Sequence, residues 1–248
     1  ITAVSRFSRD PEYSYLHRQA LKFPVVRGVL EEILHLKPDL VLAGAFTKGA
    51  VRSALKKFRI RAATFAPAHT VAAGRRDIMR MARLLGHPDR GQRLVNAIDR
   101  TLAGAKQKAR RVVRDRRSAG LGRLSVMQLQ RRLFVSGERT LLGNLFSHLR
   151  LVNQAHRLGV TSVARVQFEA VLNQPPDILV IDSLATRYRD QGQSILGHPA
   201  LARVVPRQSW IVVPQRLVIC SGPSLPAAIR TMITAIERVG QRAPITTP

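Results

Sequence analysis

The stretch Leu30–Gly44, LEEILHLKPDLVLAG, has a second version at Phe168–Asp182, FEAVLNQPPDILVID, at a constant offset (168 − 30 = 182 − 44 = 138). Both run apolar–Glu–x–apolar–Leu–x–x–x–Pro–Asp and then turn continuously apolar. Leu30, Ile33 and Leu34, like Phe168, Val171 and Leu172, recur at helical spacing. Pro38 and Pro176 forbid the helix from continuing. An apolar run of this length after a breaker predicts a strand buried on both faces, as in a parallel sheet. Two such helix–strand units predict two α/β lobes of similar build.

The remaining segments alternate in the same way. Helices are predicted near 47–58, 70–85, 140–149, 194–204 and 225–239, and strands near 60–65, 124–128 and 133–136 and in SWIVVP. A further short apolar run, RLVIC, follows SWIVVP. Between the halves, Leu94, Ile98, Leu102, Ala105, Ala109 and Val112 step by 4, 4, 3, 4 and 3. That is one apolar stripe of a long helix, about 45 Å over some 30 residues. Gly- and Ser-rich composition would mark a flexible hinge; this segment predicts a stiff strut. The expected division is an N-terminal lobe at 1–86, a connecting helix at 87–118 and a C-terminal lobe at 119–248.

Hydrophobic residues at 45 % and charged residues at 23 % fit a globular chain. The longest uncharged windows, Ala62–Gly74 and Leu217–Ile229, hold 13 residues each, short of the roughly 18 that a membrane span needs. The opening ITAVSRFSRDPE lacks the basic start and apolar core of a signal peptide. The single cysteine, Cys220, allows no internal disulfide and is expected to be a small buried thiol. Against 15 acids stand 41 Lys and Arg, a formal charge of +26, which points to an anionic partner. The run Lys106–Arg123 would line a phosphate track, but it contains no aromatic residue for stacking and no DNA-reading motif.

The segments EEILHLKPDLVLAG, LLGHPDRGQRLVNAID, FVSGERTLLGNLF, FEAVLNQPPDILVID, GHPALARV and VICSGPS, in this order over nearly the whole chain, resemble the periplasmic substrate-binding proteins of iron-chelate and vitamin B12 ABC importers. The resemblance implies an α/β fold of two Rossmann-like lobes joined by a single long helix, the class III periplasmic binding protein architecture. It implies a ligand held in the inter-lobe cleft, an ABC permease and ATPase as partners, a periplasmic location, and a monomer. The ligand would be a ferric siderophore, haem or cobalamin; no cofactor is expected. In three respects the chain departs from the family pattern. Its opening resembles the family's second strand and the loop after it, so the first strand and helix are expected to be missing from this sequence, either because it is trimmed or because the N-terminal lobe is incomplete. The surface TKGAVRSALKK carries Lys48, Arg52, Lys56 and Lys57 where family members place an acid for permease docking. The whole chain is also unusually basic.

In such folds ligands meet the loops at the carboxyl ends of strands, here Arg6–Tyr13, Ala45–Lys48, 66–70, 129–132, 182–186 and 214–216. The candidate ligand-binding residues are therefore Arg6, Tyr13, Phe46, Thr47, His69, Arg131, Asp182 and Arg216. Arg9 and Arg132 are further candidates for gripping carboxylates or phosphates, and Phe7 and Tyr15 for apolar walls. No two of the seven histidines share metal-ligand spacing, though His69 is placed to be an axial ligand to haem iron. His87 and His198, each before a proline, read as helix-entry residues. Nucleotide-binding and nucleophile-elbow motifs are absent, so no enzymatic activity is expected. Two alternatives stand beside the importer reading: a diverged or truncated paralogue that no longer transports, and a basic nucleic-acid-binding protein.

Overall fold

The computed structural model describes residues 1–45, 47–182 and 195–241. The chain forms two compact units, Ile1–Ala68 and His69–Pro248. The division falls ahead of the boundary drawn at residue 86 from sequence.

The smaller unit holds two parallel strand pairs. β1 (Val4–Ser5) pairs with β2 (Val25–Val26), and β3 (Leu40–Gly44) with β4 (Arg61–Phe65). Helices α1 (Arg6–Arg9), α2 (His17–Ala20), α3 (Leu30–His35) and α4 (Gly49–Lys57) connect them. The first copy of the repeat is thus α3–β3, with Leu36 ending the helix just before Pro38. Its strand departs from expectation. Only Ala43 is buried and Leu42 is 41 % exposed, because the sheet has two strands and one neighbour rather than two.

In the larger unit, α5 (Val71–Leu84) and α6 (Pro88–Ser118) precede β5 (Ser125–Leu129), β6 (Phe134–Ser136), α7 (Leu141–His148), β7 (Val152–Asn153) and β8 (Val163–Arg165). The second copy follows as α8 (Phe168–Asn173) and β9 (Ile178–Ile181). Then come α9 (Pro199–Val204), β10 (Trp210–Val212), α10 (Gln215–Val218) and α11 (Leu225–Gly240). The apolar run RLVIC therefore contributes a helical turn. The sheet order is β10-β9-β5-β6-β8, with β7 also on β5. β10, β9, β5 and β7 run parallel, and β6 is antiparallel to both β5 and β8.

β9, flanked on both edges, is buried at all four positions. Because successive side chains face opposite sides of a sheet, it feeds two cores. Ile178 and Val180 join α6, α7 and α11 on one face; Leu179 and Ile181 join α8, α9 and Trp210 on the other. The 31-residue α6 buries Ile98, Leu102, Ala105 and Ala109 of the stripe read from sequence, with Leu94 and Val112 partly buried at its margins, and buries Val95 as well. Gly91 lets it approach α5, since a Cβ there would lie 2.4 Å from that of Ala82. At Gly240 of α11 a Cβ would likewise lie 2.3 Å from Val112 Cγ1 of α6. His87 and His198 stand at the N-caps of α6 and α9, each with proline at the first helical position.

Candidate ligand-binding site

β5, β9 and β10 are parallel, and β8 runs in the same direction through two antiparallel pairings. The carboxyl ends of these four strands therefore share one end of the larger unit's sheet. The loops there carry Gln130–Leu133 after β5, Asp182 after β9, Pro214–Arg216 after β10 and Val166–Glu169 after β8. Three of the residues expected from sequence, Arg131, Asp182 and Arg216, meet at this rim. All three are partly buried, and each already engages at least one neighbour. Residues 183–186, counted with the same loop, lie outside the described residues.

The rim backbone is unusual between β5 and β6. Arg132 and Leu133 adopt consecutive left-handed conformations, φ 57° and 63°, which side-chain-bearing residues rarely occupy and which cluster at ligand sites. A polar layer supports this turn. Gln130 Nε2 donates to Ser136 Oγ at 3.1 Å and Gln128 Oε1 at 3.4 Å, and Asn153 Nδ2 donates to the Ser136 carbonyl at 3.0 Å. Beside it opens a recess of about 410 Å³, lined by Leu133, Arg165, Val166, Gln167, Phe168 and Glu169. Phe168 is held edge-on to the His198 ring at 5.0 Å. Arg165 and Phe168 were not among the candidates expected from sequence, because Arg165 ends a three-residue strand whose only signal is the weak alternation of VARV.

The smaller unit holds another group. Arg6 follows β1 and is exposed, its guanidinium 4.9 Å from the Phe7 ring centre. Phe7 meets Tyr13 edge-to-face at 6.1 Å. Thr47 follows β3, its N–H donating to the Gly44 carbonyl at 3.0 Å. Arg9 serves the fold itself: Nε donates to the Ala20 carbonyl and Nη2 to those of Leu21 and Phe23. Phe46 lies outside the described residues. His69 opens the larger unit and is exposed just before the Thr70 cap of α5.

Cys220 is exposed rather than buried, yet the surrounding protein desolvates it enough to push its thiol pKa up. It is thus a poor nucleophile at neutral pH. Among the described residues no three or more His, Cys, Asp or Glu side chains are grouped to hold a metal ion, and no helix is long and apolar enough to cross a membrane.

The fold has well-defined relatives. The chain aligns with the periplasmic heme-binding protein RhuT from Roseiflexus sp. RS-1 at 22 % identity and a TM-score of 0.71, covering 92 % of this chain and 88 % of that one. A periplasmic heme-binding protein from Pseudomonas aeruginosa matches at 18 % identity and a TM-score of 0.75, over 100 % and 88 %. FhuD2 from Staphylococcus aureus with bound ferrioxamine B matches at 14 % and 0.68, over 97 % and 92 %. These likenesses establish the α/β fold. Comparison with curated proteins gave no match. The family model for periplasmic binding protein matches residues 1–206, and the chain belongs to that family.

Proposed function

We propose that the protein is the substrate-binding component of an ABC importer, working in the periplasm without catalysing a reaction. It captures an anionic iron chelate, haem or a carboxylate-bearing siderophore, and passes it to the permease and ATPase. The observation that carries this reading is the rim itself. Arg131, Arg132, Arg165 and Arg216 stand at the carboxyl ends of strands of one sheet, and Arg165 lines a recess there together with Leu133 and Phe168. Guanidinium groups grip carboxylates in a bidentate fork, and an aromatic edge suits the flat face of a macrocycle. The relatives named above that bind haem and ferrioxamine B support the same ligand class. Arg6, Tyr13, Thr47 and His69 are proposed as secondary contacts.

The test is a titration of the chain with haem, a ferric siderophore and cobalamin at two salt concentrations. Saturable one-to-one binding of a carboxylate-bearing chelate is expected. Arg131→Ala and Arg216→Ala should each weaken it by about tenfold, the loss of one charge-assisted hydrogen bond, and leave any uncharged ligand unaffected. Binding of cobalamin alone, or equal weakening of all ligands, overturns the proposal.

A further inference from the structure

We propose that the outward face of the C-terminal half of α6 is a docking surface for an anionic phospholipid bilayer. From Leu102 to Ser118 the sequence carries Lys106, Lys108, Arg110, Arg111, Arg114, Arg116 and Arg117 against the single acid Asp115. The fold sorts them. Arg116 is buried and donates from Nε to the Gly122 carbonyl at 2.9 Å. Lys108 pairs with Glu237 of α11, and Arg114 with its neighbour Asp115. Arg110, Arg111, Arg114 and Arg117 are all exposed. Among the described residues no carboxylate pairs with Arg110, Arg111 or Arg117.

Cations in the last turn of a helix are favoured by its dipole, which accounts for Arg116 and Arg117. Arg110 and Arg111 lie two turns further back, where that effect has faded. Their charge is therefore available to an external partner.

The shape of the surface selects the partner class. Residues 88–118 contain no Phe, Tyr or Trp, so bases have nothing to stack on. α6 packs along α11 and α5 and cannot enter a groove only about 12 Å wide on its own. What it offers is one side of a straight rod, with cations along its final 10 residues or so, about 15 Å. That geometry suits a flat sheet of lipid phosphates, which attracts basic segments electrostatically.

The proposal is independent of the chelate-binding reading and is tested apart from it. The chain is sedimented with vesicles of phosphatidylcholine alone and with one part in three phosphatidylglycerol, at low and high salt. Expected is salt-sensitive binding to the anionic vesicles only. The triple variant Arg110→Gln, Arg111→Gln, Arg114→Gln should bind them about 100-fold more weakly, since each basic residue near an anionic surface is worth about fivefold. Two controls guard against trivial causes. The triple Lys48→Gln, Lys56→Gln, Lys57→Gln removes the same charge from exposed positions on and beside α4 and should stay within about fivefold of the parent. The triple variant Arg110→Lys, Arg111→Lys, Arg114→Lys should preserve binding, which a merely structural role for the arginines would not predict. Absence of binding to anionic vesicles overturns the proposal, as does equal loss in both glutamine triples. So does tighter, α6-dependent binding of a short DNA duplex. Chelate titration of the same variants should be unchanged.

Discussion

At Gly143, in the first turn of α7, a single methyl group has nowhere to go. Its Cβ would sit 2.2 Å from the Gly137 carbonyl oxygen and 2.8 Å from Glu138 Cα. Both neighbours are backbone. Gly137 is itself pinned, its N–H bonded to the Ser162 carbonyl and its own carbonyl accepting from Thr140 Oγ1 at 2.8 Å. Helix propensity alone would favour alanine here by about 1 kcal/mol. The clash opposes it with about 3 kcal/mol or more, so Gly143→Ala should destabilise by about 2 kcal/mol. Gly104, in the middle of α6, has open space where its Cβ would go, so Gly104→Ala should stabilise by up to about 1 kcal/mol. Urea midpoints of the two variants should move in opposite directions, and a shared direction would refute the packing argument. No residue pattern separates these glycines, since what differs is whether the preceding turn folds its backbone against the helix, as 137–138 does at Gly143. The same limit applies to arginines. Arg9, Arg131 and Arg216 are alike in following predicted strands, and the sequence does not show that Arg9 donates to three backbone carbonyls of its own unit.

At the scale of elements, periodicity proved most legible where one face of a long segment is buried. The stripe along α6 was readable because Ile98, Leu102, Ala105 and Ala109 all meet the same core. Breaking it at Ala105→Pro removes a backbone hydrogen bond and drives the ring into the preceding turn, at a cost of about 3 kcal/mol or more. Thermal unfolding and helicity by circular dichroism should both fall; a variant unchanged in both would mean the helix is not continuous there. The repeated helix–strand phrase was legible as secondary structure but not as burial. β3 and β9 have nearly the same wording, yet β9 lies between two strands and under two helical layers, while β3 pairs only with β4. A strand's burial is set by what other segments supply, and local sequence does not encode it. The two- and three-residue strands β2, β7 and β8 are too short for any period to emerge.

For the molecule as a whole, the two units differ sharply in what holds them. Among the described residues, the buried apolar side chains of the smaller unit are Ala20, Ile33, Ala43, Leu55 and Ala63, three of them alanines. Phe7, Leu16, Leu21, Val29, Leu42 and Phe58 are exposed in the same unit. Burial of an alanine contributes far less than that of a leucine or phenylalanine, since the stabilisation scales with apolar area, and a two-stranded sheet is marginal without further packing. The larger unit instead encloses Phe146, Met127, Leu129, Leu145, Ile178 and Leu179 in two clusters, one on each face of its sheet. Local opening is cheapest where few apolar contacts are lost. Native-state hydrogen exchange of the unliganded chain should therefore show β5, β9 and the buried turns of α6 exchanging only through global opening. Amides of β3 and β4 should exchange through a smaller and separate one. Adding moderate urea should narrow that gap, since global opening exposes more surface and its free energy falls more steeply with denaturant, while the smaller unit still opens first. If every strand in both units instead shared one exchange free energy, the smaller unit would be drawing its stability from outside its own core, and the division of the chain after Ala68 would not describe how it unfolds.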